Sequence, residues 1–523
     1  MTAEQKVNKS IPITLLSGFL GSGKTTLMEK ILTANHGYRI AVIINDMSEL
    51  NVDTALIKDH KVCQKEEKLI QLQNGCICCT LRGELLEELV RIGERGEINY
   101  IVIESTRIAE PMQVAETFAQ EFSDILLDTP AGIPEEEEIL LKKVSEMGGL
   151  QAIAKIDTCV TVVNALNFLS NVNTAQFLAD RWGESGQGES ERTITDLLVD
   201  QIEFANVIIV NKKGLVNKKK LQKIKKMITA LNPICRIVTS NYCSISLDSV
   251  LNTALYHFEK ASMSAGWLQS INEMTVREGF GDKTKSVLTP KPETEEYGVN
   301  NFVYRQRRPF HPERLYHMIN DNFFVIEQTR VDEAEEQDDN EESQDEDDNE
   351  EDKGEDKETN KVGDEDDEVN ESGEEVEELS EDQINRNRAS SPFGALLRSK
   401  GFFWLATRFV VRGEWSSAGS MSTIKGGLPW FAISGLKYVP PEAIELVKKD
   451  YEGPFSDRRN ELVFIGLSLN VKALTEVLDN CLLNDKEFDL LKKITDKHND
   501  LGADKELAKV WDDDLEDWMI LET

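Results

Sequence analysis

Gly18-Phe19-Leu20-Gly21-Ser22-Gly23-Lys24-Thr25 follows an apolar run at residues 11–16 and precedes a helical pattern at 24–32. The octapeptide fits Gly-x4-Gly-Lys-Ser/Thr in full. A strand before it and a helix after it are the context this phosphate-binding loop requires. Gly18, Gly21, Ser22 and Gly23 form a turn tight enough for backbone N–H groups to surround phosphates. Lys24 neutralises the β and γ phosphates, and Thr25 offers its hydroxyl to Mg²⁺.

Working outward, apolar runs recur at 39–45, 100–104, 159–163 and 205–211, with helical patterns between them at 84–92 and 114–122. Short continuous apolar strands alternating with helices predict an α/β P-loop NTPase domain with a mainly parallel sheet. This domain is expected over residues 1–258, with the Gly- and Ser-rich stretch 181–192 as a loop. Glu104 ends one run, where an acidic residue reaches Mg²⁺ directly or through water; a capping carboxylate is the competing reading. Asn211-Lys212 ends another and reads equally as a base contact or a strand-end turn.

A looser stretch, 259–300, reads as a linker. A smaller α+β domain is expected over 301–330 and 388–523, from strands at 301–304, 401–406 and 462–466 and helices at 311–318 and 471–481. His311 reads as a helix-start residue. The total charge of −36 is local: residues 331–382 hold 30 acidic residues and 3 lysines, leaving only −9 on the rest. Such a tract cannot bury enough apolar surface to order itself, so 331–387 reads as a disordered acidic insertion. The charge balance argues against a nucleic-acid partner. No apolar run approaches the roughly 18 residues of a membrane span, and residues 1–10 lack a secretory h-region. Eight cysteines in 523 residues form no disulfide framework, and five of them (Cys63, Cys159, Cys235, Cys243 and Cys481) are scattered, which suits a reducing compartment, so a cytoplasmic location is expected.

The other three cysteines cluster in Asn74-Gly75-Cys76-Ile77-Cys78-Cys79-Thr80. Thiolates bind Zn²⁺ and also favour Cu(I). Three adjacent sulfurs supply one face of a tetrahedral site. With no second cysteine pair to close a structural site, the cluster suits a metal that is loaded and released. Reactive thiols and buried structural cysteines are the competing readings. Cys63 is a possible fourth ligand, and the six histidines show no ligand spacing.

These features in this order resemble the CobW family of P-loop GTPases, which act as metallochaperones or metal-insertion factors. The resemblance rests on residues 17–26, ending in Thr25-Thr26; on the Cys-x-Cys-Cys cluster; and on Glu104-Ser105-Thr106 with Glu110-Pro111. Asn45-Asp46-Met47-Ser48-Glu49-Leu50-Asn51 looks like the zinc-starvation, YciC-like branch. So do Phe302-Val303-Tyr304-Arg305, Arg308-Pro309-Phe310-His311-Pro312 and Gly401-Phe402-Phe403-Trp404-Leu405-Ala406. The resemblance implies an N-terminal GTPase domain, a CobW-type C-terminal domain, and GTP, Mg²⁺ and Zn²⁺ as ligands. It implies that Lys24, Asp46 and Glu104 serve catalysis and that the phosphate loop through Thr26, with Asn211 and Lys212, holds nucleotide. It also implies that Cys76, Cys78, Cys79 and Glu49 hold metal. Two positions depart from the family: Arg107 replaces a glycine that lets the backbone approach the γ phosphate, and Gly214 replaces the aspartate of Asn-Lys-x-Asp.

The expected function is a GTP-dependent zinc metallochaperone that delivers zinc to a client protein. The alternatives are a non-hydrolysing zinc sensor or adaptor, and an NTPase inserting cobalt or nickel. Nothing in the sequence specifies an oligomeric state.

Overall fold

The computed structural model describes residues 10–45, 68–72, 81–105, 111–118, 142–145, 149–180, 193–257, 299–328, 380–436 and 444–518, apart from isolated positions within those spans. Two sheets organise them. The first contains β1 (Ile11–Ser17), β2 (Ile40–Asn45), β3 (Lys68–Leu72), β4 (Tyr100–Glu104), β5 (Ala154–Asn164), β6 (Val207–Asn211) and β7 (Arg236–Thr239). All pairings are parallel, in the order β3-β2-β4-β1-β5-β6-β7. Every residue of β4 and β6 is buried, which explains why these strands read as continuous apolar runs without alternation. The chain leaves β1 toward one edge of the sheet and leaves β4 toward the other. A crevice therefore opens between their carboxyl ends, where open parallel sheets bind ligands.

The second sheet contains β8 (Val299–Gln306), β9 (Phe324–Gln328), β10 (Leu396–Leu405), β11 (Arg408–Ala418), β12 (Met421–Pro429) and β13 (Asn460–Leu467). Its order is β8-β13-β10-β11-β12-β9, antiparallel except for the β12–β9 pair. Side chains on a strand alternate between faces. Phe302, Tyr304, Leu462 and Phe464 pack on one side, in a cluster with Leu315 and Leu474 of helices Pro312–Asn322 and Val471–Asn480. Val303, Leu397, Val463 and Ile465 turn the other way. They join a core with Ile194, Leu198 and Ile228 from helices Ile194–Glu203 and Lys218–Leu231 of the first unit. The two units thus share a buried apolar seam.

Several elements differ from the sequence expectation. β5 starts at Ala154, five residues earlier than the apolar run suggested. The edge strands β3 and β7 are only five and four residues long and each opens on a charged residue, so they do not read as apolar runs. β9, β11 and β12 also escaped notice. A helix at Glu381–Ser390 begins inside the stretch expected to be a disordered insertion. Its ordering has a cause: Ile384 and Arg388, one turn apart, are both buried. The Arg388 guanidinium donates to the Leu396 carbonyl at 2.7 Å and lies over the Phe323 ring. The tract 331–379 lies outside the described residues, as do 181–192 and 259–298.

Candidate nucleotide site

The phosphate loop bridges β1 and helix Lys24–Thr33, as its motif requires. Gly18 and Gly23 have φ of +132° and +117°, conformations that L side chains rarely adopt. A Cβ at Gly18 would stand 2.3 Å from the Val162 carbonyl oxygen, and one at Gly23 would stand 2.4 Å from Asn211 Nδ2. Both positions therefore demand glycine for space as well as for backbone angle. Within the loop the Ser22 N–H donates to Phe19 O at 3.1 Å.

The Lys24 ammonium is buried. It donates to Gly18 O at 2.6 Å and to Phe19 O at 3.4 Å, and it lies 3.6 Å from Glu104 Oε1. Register explains this meeting: Leu16 at the end of β1 pairs with Glu104 at the end of β4. Ser105 N–H then donates to Leu16 O at 3.0 Å, fixing the strand end. Cation, carboxylate and Thr25 at the helix start converge at the crevice. The loop suits a polyphosphate: the Ser22 hydroxyl is buried with no hydrogen-bond partner among the described residues. Thr25 and Glu104 are hard oxygen donors of the kind Mg²⁺ prefers.

Asn211 ends β6 and is buried. Its Nδ2 donates to Ser22 O at 2.9 Å; its Oδ1 accepts from Cys243 N at 3.0 Å and Ser240 Oγ at 3.1 Å. This one carboxamide ties the phosphate loop to the loop after β7. The reading of Asn211 as a base contact or a turn residue overlooked this clamp. The next residue, Lys212, adopts a left-handed conformation (φ 59°) and starts the turn Lys213–Leu215. Ser240, Asn241 and Cys243 were missed from sequence because nothing local marks them. Only the pairing of β6 with β7 brings them to the site.

Asp46, Glu49, Cys76, Cys78 and Cys79 lie outside the described residues, as do Cys63 and Arg107. Among the described residues, no group of three or more His, Cys, Asp or Glu is placed to hold a metal. Cys159, Cys235, Cys243 and Cys481 are separate free thiols. Burial pushes Cys243 up to about 11 and both Cys235 and Cys481 up to about 12, so these stay protonated at neutral pH. His311 stands at the start of helix Pro312–Asn322, as expected of a helix-start residue, without a side-chain capping bond. No helix among the described residues is long and apolar enough to cross a membrane.

Comparison with known proteins agrees with this architecture. Residues 12–133 and 124–239 match the CobW/HypB/UreG nucleotide-binding domain, and residues 377–482 match the cobalamin synthesis protein cobW C-terminal domain. The chain is 33% identical over 496 residues to the zinc-regulated GTPase metalloprotein activator 1 of Dictyostelium discoideum, covering 93% of this chain and 82% of that protein. It is 27% identical over 256 residues to the zinc chaperone CobW of Pseudomonas aeruginosa, covering 47% of this chain and 60% of that protein. Over 113 residues it is 43% identical to the zinc chaperone YjiA of Escherichia coli, covering 21% and 34% respectively. With its phosphate loop, parallel sheet and second, mixed sheet, the chain belongs to the CobW/HypB/UreG family of P-loop GTPases.

Proposed function

We propose that this protein is a GTP-dependent zinc metallochaperone. In this reading Lys24 and the phosphate loop hold the triphosphate, and Thr25 and Glu104 hold Mg²⁺. Cys76, Cys78 and Cys79, with Glu49 nearby, carry zinc as cargo to a zinc-requiring client protein. The observation that carries the nucleotide half is the convergence of buried Lys24 and Glu104 at the crevice, 3.6 Å apart. A buried lysine held by two loop carbonyls and one carboxylate is positioned to exchange those partners for phosphate oxygens. Bound Mg²⁺ would supply charge neutralisation at the β and γ phosphates. The zinc half draws support from the cysteine cluster and from the names borne by the relatives.

Nucleotide and cargo are coupled in this reading through Asp46 and Glu49, which follow β2 directly, and through the cysteines that follow β3. Both strands lie in the sheet that carries the phosphate loop. The test is a zinc titration of wild type and Cys78→Ala, each with and without a non-hydrolysable GTP analogue. Wild type is expected to change zinc affinity with nucleotide, and Cys78→Ala to bind weakly in both states. Equal affinity in all four conditions would overturn the proposal.

A further inference from the structure

The base-reading side of the nucleotide site contains a substitution and what fills its place. Gly214 stands where the family's Asn-Lys-x-Asp motif carries a carboxylate. An aspartate there reads guanine with two acceptor oxygens, one for N1–H and one for the 2-amino group. Gly214 has no side chain, and the space beside it is occupied. A Cβ at 214 would lie 3.2 Å from Asn241 Oδ1, 3.3 Å from its Nδ2 and 3.5 Å from its Cγ. The Gly214 N–H donates to Asn241 Oδ1 at 2.8 Å. Because that contact needs an acceptor, it fixes which end of the carboxamide is oxygen.

The loop that presents Asn241 is well anchored. Ser240 N–H donates to Val210 O at 2.9 Å, and Lys213 N–H donates to Ser240 O at 3.1 Å. Cys243 N–H reaches Asn211 Oδ1, holding Tyr242 and Cys243 at φ of 52° and 49°. Backbone in that region persists in non-glycine residues only when its surroundings enforce it. Tyr242, next in the chain, is 80% exposed and leaves an aromatic face open beside the loop.

We infer that Asn241 fills the place of the missing carboxylate with a carboxamide of different hydrogen-bonding character, so that this site does not read guanine's 2-amino group. The inference rests on the nucleotide reading above and refines it. A carboxylate is acceptor-only, whereas a carboxamide has one oxygen and a nitrogen that only donates. Here the oxygen already accepts from Gly214 N–H. Guanine's N1–H and 2-amino groups therefore face one oxygen, already shared with Gly214 N–H, instead of two carboxylate oxygens, and the 2-amino group loses an acceptor of its own. Phosphate contacts still bind GTP, but ITP, which lacks the 2-amino group, binds at least as tightly.

The experiment is equilibrium competition of GTP and ITP against a fluorescent GTP analogue, with Mg²⁺ and the full chain. Wild type should bind ITP as tightly as GTP or more tightly. Asn241→Asp and, separately, Gly214→Asp should favour GTP over ITP by about 10- to 100-fold, the range of a charged hydrogen bond. Asn241→Asp is isosteric, and the Cβ of Gly214→Asp is accommodated if the Asn241 side chain shifts by a few tenths of an ångström. Asn241→Ala should leave the ratio of GTP to ITP affinity as it is in wild type. Wild type preferring GTP over ITP tenfold, or Asn241→Asp leaving the ratio unchanged, would overturn the inference. Failure of every triphosphate to bind would instead overturn the nucleotide reading itself.

Discussion

Two buried cations, Lys24 and Arg398, sit in opposite circumstances. Lys24 faces the crevice, held by two neutral carbonyls and one carboxylate at 3.6 Å. Arg398, on β10, lies in the seam between the two units against helix Ile194–Glu203. Its guanidinium is 3.3 Å from Asp196, 3.3 Å from Asp200 and 3.6 Å from Glu203. Burial alone would lower the Arg398 pKa, but the three carboxylates reverse that and hold it above its ordinary value. A cation whose hydrogen bonds go to neutral loop carbonyls can exchange them for an incoming anion. One surrounded by three fixed carboxylates cannot, and it serves to join two domains. Burial of a positive charge is thus no sign of a ligand site until its partners are counted.

Arg398 is the more vulnerable of the two to substitution. Arg398→Met keeps the volume and removes the charge, leaving three acidic groups crowded in the seam. Breaking a buried ion pair from one side costs about 3–5 kcal/mol. Urea unfolding should show a loss of that order, and limited proteolysis should show the two units separating more readily. A midpoint matching wild type would mean that the apolar seam alone holds the units and that Arg398 is incidental. The reverse substitution at the crevice, Lys24→Ala, should leave the seam intact. It removes a donor aimed at the phosphates, a change that commonly lowers turnover by about 100- to 1,000-fold. Steady-state phosphate release from GTP measures it, and an unchanged rate would remove Lys24 from the active site.

The two cations also differ in how legible they were. Lys24 could be read because its neighbours in sequence are its neighbours in space: a strand, a glycine turn and a helix fall in one short window. Glu104 was found by its position at a strand end, and parallel register brought it to Lys24. Arg398 gave no such sign. It lies in Leu396-Leu397-Arg398-Ser399-Lys400, where it looks like an ordinary polar position on an alternating strand. Its partners Asp196, Asp200 and Glu203 follow helical spacing, which normally marks a solvated face. Only the docking of one unit's sheet on the other's helices turns that acidic stripe inward. Asn241 was hidden for the same reason, since its role depends on β6 lying beside β7. The edge strands β3 and β7 are short and each opens on a charged residue, so neither forms a long apolar run. The metal cluster was the opposite case, compact in sequence yet outside the described residues.

The smallest expected effect concerns acidity in the seam. Glu203 is buried, and burial pushes its carboxyl up to about 7, opposed by the Arg398 guanidinium and reinforced by Asp200. Lys400 lowers it and Asp196 raises it further. The unfolded value is near 4.5, so between about 4.5 and about 7 the folded state binds more protons at this site than the unfolded chain does. The contribution of Glu203 to stability is therefore fully present below that window and declines as pH rises through it. Glu203→Gln mimics the neutral form and carries no titrating proton. Its stability relative to wild type should rise across the window and level off above it, as measured by urea midpoints at successive pH values. Parallel curves for the two proteins would show that Glu203 titrates normally and that Arg398 holds all three carboxylates as anions. The seam would then stay a fixed ionic joint throughout the window from about 4.5 to about 7, unlike the exchangeable partners of Lys24.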